Sequence, residues 1–156
     1  MAGRSSTATG SPGPALEMAR VFEAPRALVF ALWTDPRHAQ NWWGPSDHPA
    51  SFLEMDVRPG GAWHGCLRSR ESGKELWQGG VFREVVPPDR VVFTFAWEEE
   101  GVRGLETLVS VTFAEEGGRT RMSFRQAPFR SAASRDGHRG GWTSSFDRLA
   151  AYLAQA

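Results

Sequence analysis

One cysteine, Cys66, stands among the 156 residues. A lone thiol cannot close an intramolecular disulfide, so the chain fits a reducing compartment, with Cys66 a small strand residue rather than a nucleophile. Charge of either sign is also missing in excess: 18 Lys and Arg balance 18 Asp and Glu, for a formal net charge of zero. Binding to nucleic acid or an anionic membrane surface needs clustered positive charge, so neither partner is expected. Local basic groups such as Arg119 and Arg121 alternate along a strand and read as a solvated face. Zero net charge does leave self-association open, and a homodimer is compatible with it. No apolar run approaches the ~20 residues of a membrane span. The opening MAGRSSTATGSPGPA has no apolar h-region. Residues 1–15 therefore read as a flexible tail rather than a signal peptide, residues 16–156 as the domain, and the location as cytoplasmic.

Metal and nucleophile signatures are lacking too. His38, His48, His64 and His138 show no ligand spacing and are joined by no Cys cluster, so neither a metal nor a cofactor is expected. There is no G-x-S-x-G elbow and no phosphate loop, and no catalytic residue is assigned.

Aromatic residues, by contrast, are abundant: seven Trp and ten Phe. Each buried ring covers ~150–250 Å², so such an excess makes either a stiff core or the wall of an apolar cavity. Partial alternation predicts a first strand over 16–24. Pro25 suits the first turn of a short helix over 26–33. Asp35 then caps a second short helix begun at Pro36, which must stop by Gly44-Pro45. Six strands with period-two alternation follow, over 52–57, 62–68, 75–86, 90–97, 105–113 and 120–126, separated by turn signals such as Pro59-Gly60-Gly61 and Gly117-Gly118. On these strands Trp63, Gly65 and Leu67 share a face, as do Phe93, Phe95 and Trp97. His64 falls opposite Trp63. The period then changes. Trp142, Phe146, Leu149, Ala150 and Leu153 form one stripe of a helix, whose start lies between 131 and 140 because Gly137, Gly140 and Gly141 weaken an earlier beginning. An α+β domain follows, in which a curved antiparallel sheet of six or seven strands must cover its apolar face with the last helix.

Four collinear strings carry a resemblance: APRALVFALWTDPRHAQNWWGP from Ala24 to Pro45, DVRPGGAW from Asp56 to Trp63, GGVFREVVPPDRVVFTFAW from Gly79 to Trp97, and GGW with FDRLAAYL between Gly140 and Leu153. Together they resemble the START-like, or helix-grip, superfamily (SRPBCC), in its branch of activator of heat-shock protein 90 ATPase homologue-like domains. The likeness runs over about 17–155. It implies a deep cavity between sheet and C-terminal helix, which relatives use for lipids, polyketides, hormones and other apolar molecules. Some relatives cyclise or aromatise polyketides. The branch name also implies a stress-response connection. The eukaryotic co-chaperones behind that name have a further N-terminal domain in the place of the short tail here, and a chaperone partner is not expected.

The expected function is thus binding of a small apolar ligand, aromatic ones included. Expected lining residues are Trp33, Trp42, Trp43, Trp63, Trp77, Phe93, Phe95, Trp97, Met122, Phe124, Trp142 and Phe146, with Arg58, Glu84 and Gln126 as polar anchors. Of the adjacent Trp42 and Trp43, about 100° apart on a helix, one should pack inward and one lie near an opening. Gly65 and Gly79 mark either space for a ligand or bulges that bend the sheet. Two rival readings stand beside this one. A cyclase- or hydrolase-like enzyme would need Arg58, Glu84 or Gln126 inside the pocket to polarise a carbonyl. A co-chaperone-like interaction module would use an exposed Trp43.

Overall fold

A computed structural model describes residues 13–155. The expected tail over 1–15 falls, as far as residue 12, outside the described residues. Strand β1 (Leu16–Phe22) leads into helices α1 (Arg26–Thr34) and α2 (Pro36–Ala39). The strands β2 (Ala50–Met55), β3 (Ala62–Arg68), β4 (Glu75–Val86), β5 (Arg90–Glu99), β6 (Val102–Arg103), β7 (Thr107–Glu116) and β8 (Arg119–Ala127) follow, and helix α3 (Ala132–Leu153) closes the chain. All pairings are antiparallel. The sheet runs β1-β8-β7-β5-β4-β3-β2, with the two-residue β6 attached to β5. Strand β6 was expected as loop; Glu100 and Gly101, both at positive φ, turn the chain tightly enough for Val102 to pair back on Glu99.

Alternation decides which side of each strand is covered. Trp63, Leu67, Phe93, Phe95, Val109, Val111, Phe113, Met122 and Phe124 are buried on the concave side, where α3 lies with Trp142, Phe146 and Leu149. Burying a side chain of this size contributes about 1.5–3 kcal/mol, which is why the helix cannot sit elsewhere. Helix α3 is longer than its apolar stripe: it begins at Ala132 and is capped by Ser131, whose hydroxyl accepts from Ser134 N at 3.0 Å, so all three glycines lie inside it. Its other end is held by Tyr152, whose hydroxyl lies 2.8 Å from His38 Nδ1 on α2.

Helix α2 is a single turn, shorter than the sequence suggests, with the chain leaving it before Trp42. The Asp35 carboxylate caps it, accepting from Arg37 N at 2.9 Å and from the Arg37 guanidinium. Those bonds, the guanidinium first, hold the Asp35 carboxyl below the usual carboxylate range. A carboxyl lowered on folding adds stability above its unfolded value, and that stability is lost as pH falls through its folded value. Asp35→Ala should therefore cost about 1 kcal/mol near neutrality. Urea denaturation at pH 7 and again at low acid pH checks this: the difference from wild type should shrink in acid.

In the turn between β2 and β3, Gly60 takes φ +86°. Gly61 is required for a different reason, since a Cβ there would collide with the Asp56 carbonyl oxygen. Of the two strand glycines singled out above, neither opens space for a ligand. A Cβ on Gly65 would press on Leu53, and one on Gly79 would press on the backbone of Trp63 and on His64. Among the described residues, no helix is long and apolar enough to cross a membrane.

Candidate functional site

The interior divides into a closed half and an open half. The closed half is a knot of rings centred on Trp33, which is 1% exposed. Around it stand Trp42 at 4.8 Å between centroids, Trp43 at 6.0 Å, Phe146 at 6.0 Å and Trp142 at 6.1 Å, with Phe93 and Phe124 slightly farther. Edge-to-face and offset contacts of this kind add to plain burial. Trp33 Nε1 has no hydrogen-bond acceptor among the described residues. Trp42, fully buried, donates from Nε1 to Leu32 O at 2.9 Å. Trp63 donates to Thr94 O at 2.9 Å.

The open half is a cavity of about 400 Å³ between strands β3–β5 and the first half of α3. Trp43, Pro45, Leu67, Leu76, Phe95, Trp97 and Trp142 supply its apolar wall. Ser134, Gly137, Gly141 and Ser145 supply the helix side, with His138 beside them and His48 from the 44–48 segment. An added Cβ on Gly137 or Gly141 would meet nothing within 4 Å. The space exists because the helix presents hydrogens and hydroxymethyl groups there instead of apolar chains.

Polar atoms on this wall are mostly committed. Indole N–H groups only donate. Trp142 Nε1 donates to Gln126 Oε1 at 2.8 Å, Gln126 Nε2 to Thr107 Oγ1 at 2.9 Å, and Thr107 Oγ1 to Phe95 O at 3.0 Å. Trp97 Nε1 donates to His138 Nε2 at 2.9 Å, while His138 Nδ1 donates to Ser134 O at 2.8 Å, so both ring nitrogens are engaged. Ser145 Oγ donates to Gly141 O at 2.9 Å. His48 Nδ1 lies 3.0 Å from an Asp47 carboxylate oxygen. The Ser134 hydroxyl lies on a half-exposed residue. The remaining buried side chain is Gln78, 2% exposed, which accepts from Trp43 Nε1 at 2.6 Å.

The 43–45 wall is pinned to α3 by Arg148, whose guanidinium donates to the carbonyls of Asn41, Trp43 and Gly44 at 3.1, 3.0 and 2.7 Å. Burial, and secondarily the nearby Arg70, push the Arg148 pKa down from its ordinary value.

Four of the twelve expected lining residues, Trp43, Phe95, Trp97 and Trp142, border this cavity. Trp33, Trp42, Trp63, Phe93, Met122, Phe124 and Phe146 are buried in the core instead. Trp77 lies on the opposite side of the sheet, its ring 4.9 Å from that of His64 and 5.9 Å from that of Phe52. Its neighbours Leu76 and Gln78 bracket it in sequence and line the cavity, so strand alternation sends Trp77 the other way. Trp42 packs inward and Trp43 borders the cavity, although both lie beyond the end of α2 rather than on a helix, and Trp43 is itself buried at 2% exposure.

None of the three expected polar anchors offers a free group to the cavity. Arg58 pairs with Asp56 at 2.9 Å, both exposed. Glu84 pairs with Arg90 at 2.8 Å on the surface. The register between β4 and β5 shifts between Phe82 and Glu84, so the simple alternation that put Glu84 beside buried Phe82 does not hold across the bulge. Gln126 is fully buried, with its amide already bonded on both sides. Among the described residues, no three His, Cys, Asp or Glu side chains stand together as a metal site.

The sequence reading missed Pro45, His48, Leu67, Leu76, Gln78, Ser134, Gly137, His138, Gly141 and Ser145. One signal was present: Ser134, Gly137 or His138, Gly141 and Ser145 recur at helical spacing. It requires α3 to run from Ala132, which the glycines argue against locally.

Comparison with known proteins agrees with this geometry. Among solved structures, the AHSA1 protein of Silicibacter pomeroyi superposes with a TM-score of 0.83 at 28% identity, over 91% of this chain and 99% of that one. A protein of Chromobacterium violaceum gives 0.79 at 26% identity, over 88% and 96%. At 22% identity, a protein from the dynemicin biosynthetic locus shares the fold, with a TM-score of 0.73 over 92% of this chain and 48% of its own. No curated protein matches the sequence. The model of the family described as Activator of Hsp90 ATPase homolog 1-like protein matches residues 23–154, and with it the helix-grip arrangement of sheet and C-terminal helix; the chain belongs to that family.

Proposed function

We propose that the protein binds a small, uncharged, largely aromatic molecule in the cavity beneath the first half of α3. The observation that carries this reading is the cavity's lining: four Trp and Phe rings and three aliphatic side chains beside His48 and His138, with no Asp, Glu, Lys or Arg among the described residues. An ion placed there would lose its hydration without a counter-charge, whereas a neutral ring system exchanges water for apolar contact. The volume of about 400 Å³ corresponds to roughly 13 molecules of liquid water, enough for a two-ring compound.

The rival readings lose their supports. The enzyme reading needed Arg58, Glu84 or Gln126 inside the pocket, and two are surface ion pairs while the third is spent in the core. The interaction-module reading needed an exposed Trp43, and that ring is buried.

Thermal unfolding with a panel of neutral two-ring compounds tests the proposal. A ligand at 100 times its Kd adds about 2.7 kcal/mol, which for a chain of this size raises Tm by roughly 5–10 °C. If no member of the panel moves the transition, the reading fails.

A further inference from the structure

The orientation of one buried amide narrows the ligand class. Gln78 sits on β4 facing α3, 2% exposed, and borders the cavity. Its carbonyl end is fixed: Trp43 Nε1 is a donor without acceptor capacity, and it meets Gln78 Oε1 at 2.6 Å. The amide nitrogen must therefore occupy the other branch. Its two N–H groups have no partner among the described residues, yet Gln78 Nε2 is not among the fully enclosed orphan atoms; of those, the described residues contain Trp33 Nε1. A buried donor that is neither bonded nor sealed opens onto the cavity.

The other buried donors of the wall are already used, and the Ser134 hydroxyl and His48 belong to half-exposed residues that water can serve. The Trp97 and Trp142 indoles are bonded to His138 and Gln126, His138 Nδ1 is bonded to Ser134 O, and the Ser145 hydroxyl is bonded to Gly141 O. One unspent donor on a fully buried side chain, in a wall without Asp, Glu, Lys or Arg among the described residues, asks for one acceptor oxygen on the guest.

We propose that Gln78 is the specificity-determining residue of the cavity, its amide N–H donating to the carbonyl oxygen of a neutral, planar ligand held among Trp43, Phe95, Trp97 and Trp142. This rests on the ligand-binding reading above. A site built to hydrogen-bond one substrate group rejects an analogue lacking that group, because the buried donor is then left unmet. Trp43 has a part in this as a positioning residue: by occupying the amide oxygen it aims the nitrogen.

The test uses two probes of equal shape, 2-acetonaphthone and 2-isopropenylnaphthalene, which differ only in C=O against C=CH2. Tryptophan fluorescence quenching measures the Kd of each for the full chain, for Gln78→Met and for Gln78→Glu. Met retains the length of Gln without its amide, and Glu, measured at a pH where its carboxyl is ionised, retains an acceptor for Trp43 while removing the donor. The ratio of the two Kd values cancels any general loosening caused by the substitution. The expected result is that both variants reduce the preference for the ketone by about five-fold, one neutral hydrogen bond's worth. An unchanged ratio in both variants, with both probes still bound, overturns the assignment to Gln78 and leaves the cavity reading standing. Failure of 2-acetonaphthone to quench the wild-type chain saturably overturns both.

Discussion

Gly141→Leu should abolish ligand binding, weakening it at least ten-fold, while leaving the protein as stable as wild type or more so. Position 141 lies within α3, where glycine costs about 1 kcal/mol relative to alanine. Its missing Cβ would meet nothing within 4 Å, and the residue lines the cavity. A leucine there gains helix propensity and apolar burial while its four carbons take the space a guest would use. Gly140→Ala is the control: it lies on the same helix, a Cβ there also meets nothing within 4 Å, and it does not line the cavity. It should raise Tm by about 2–4 °C with no change in affinity. Opposite signs for stability and binding are hard to obtain from a site whose role is packing alone. If Gly141→Leu unfolds the protein, or binds the naphthalene probes as tightly as wild type, the cavity is not where ligand sits.

The second large effect concerns Trp142, which separates the closed half of the interior from the open half. Its ring lies 4.8 Å from Phe124 and 5.6 Å from Phe146, and its Nε1 serves the fully buried Gln126. Trp142→Ala should cost about 3–5 kcal/mol through the void alone. Removing the indole also strands Gln126 Oε1, a buried acceptor whose desolvation adds about 1–3 kcal/mol. That sum is comparable to the total stability of a domain this size. A cleaner comparison pairs Trp142→Phe with Trp33→Phe. Both exchange the same ring in an aromatic setting, but Trp33 Nε1 has no acceptor to lose among the described residues. Denaturant unfolding should find Trp142→Phe the more destabilising by about 1–3 kcal/mol. Equal losses would mean that the Trp142–Gln126–Thr107 chain contributes nothing measurable.

Individual residues show how far local pattern reaches. Trp63, Phe93, Phe95, Met122, Phe124, Trp142 and Phe146 were assigned to the interior by alternation and helical period, and all are buried. Alternation also separated His64 from Trp63. It failed at Glu84, because a bulge between Phe82 and Glu84 breaks the period that the assignment relied on. For Trp77, inclusion among the lining residues followed ring type rather than face, and the strand turns it outward.

The site was much less legible than the fold. Aromatic abundance suggested a cavity walled by rings, whereas most of those rings fill one another's space around Trp33. The opening instead comes from residues that lack bulk, Gly137 and Gly141, which read locally as helix breakers. Helix α3 includes them because tertiary burial of Trp142, Phe146 and Leu149 and the Ser131 cap outweigh their propensity cost.

By itself, then, the amino-acid order determined the succession of elements, the covered face of most strands, the family, and the absence of a charge pattern suited to nucleic acid. The family is carried by the four motif strings, and the other properties follow from periodicity and composition, which act over a few residues. Only the tertiary structure decided where empty space remains and which polar atom faces it. Both depend on side chains far apart in the chain, Trp43 against Gln78 and Trp97 against His138, whose meeting no local spacing encodes.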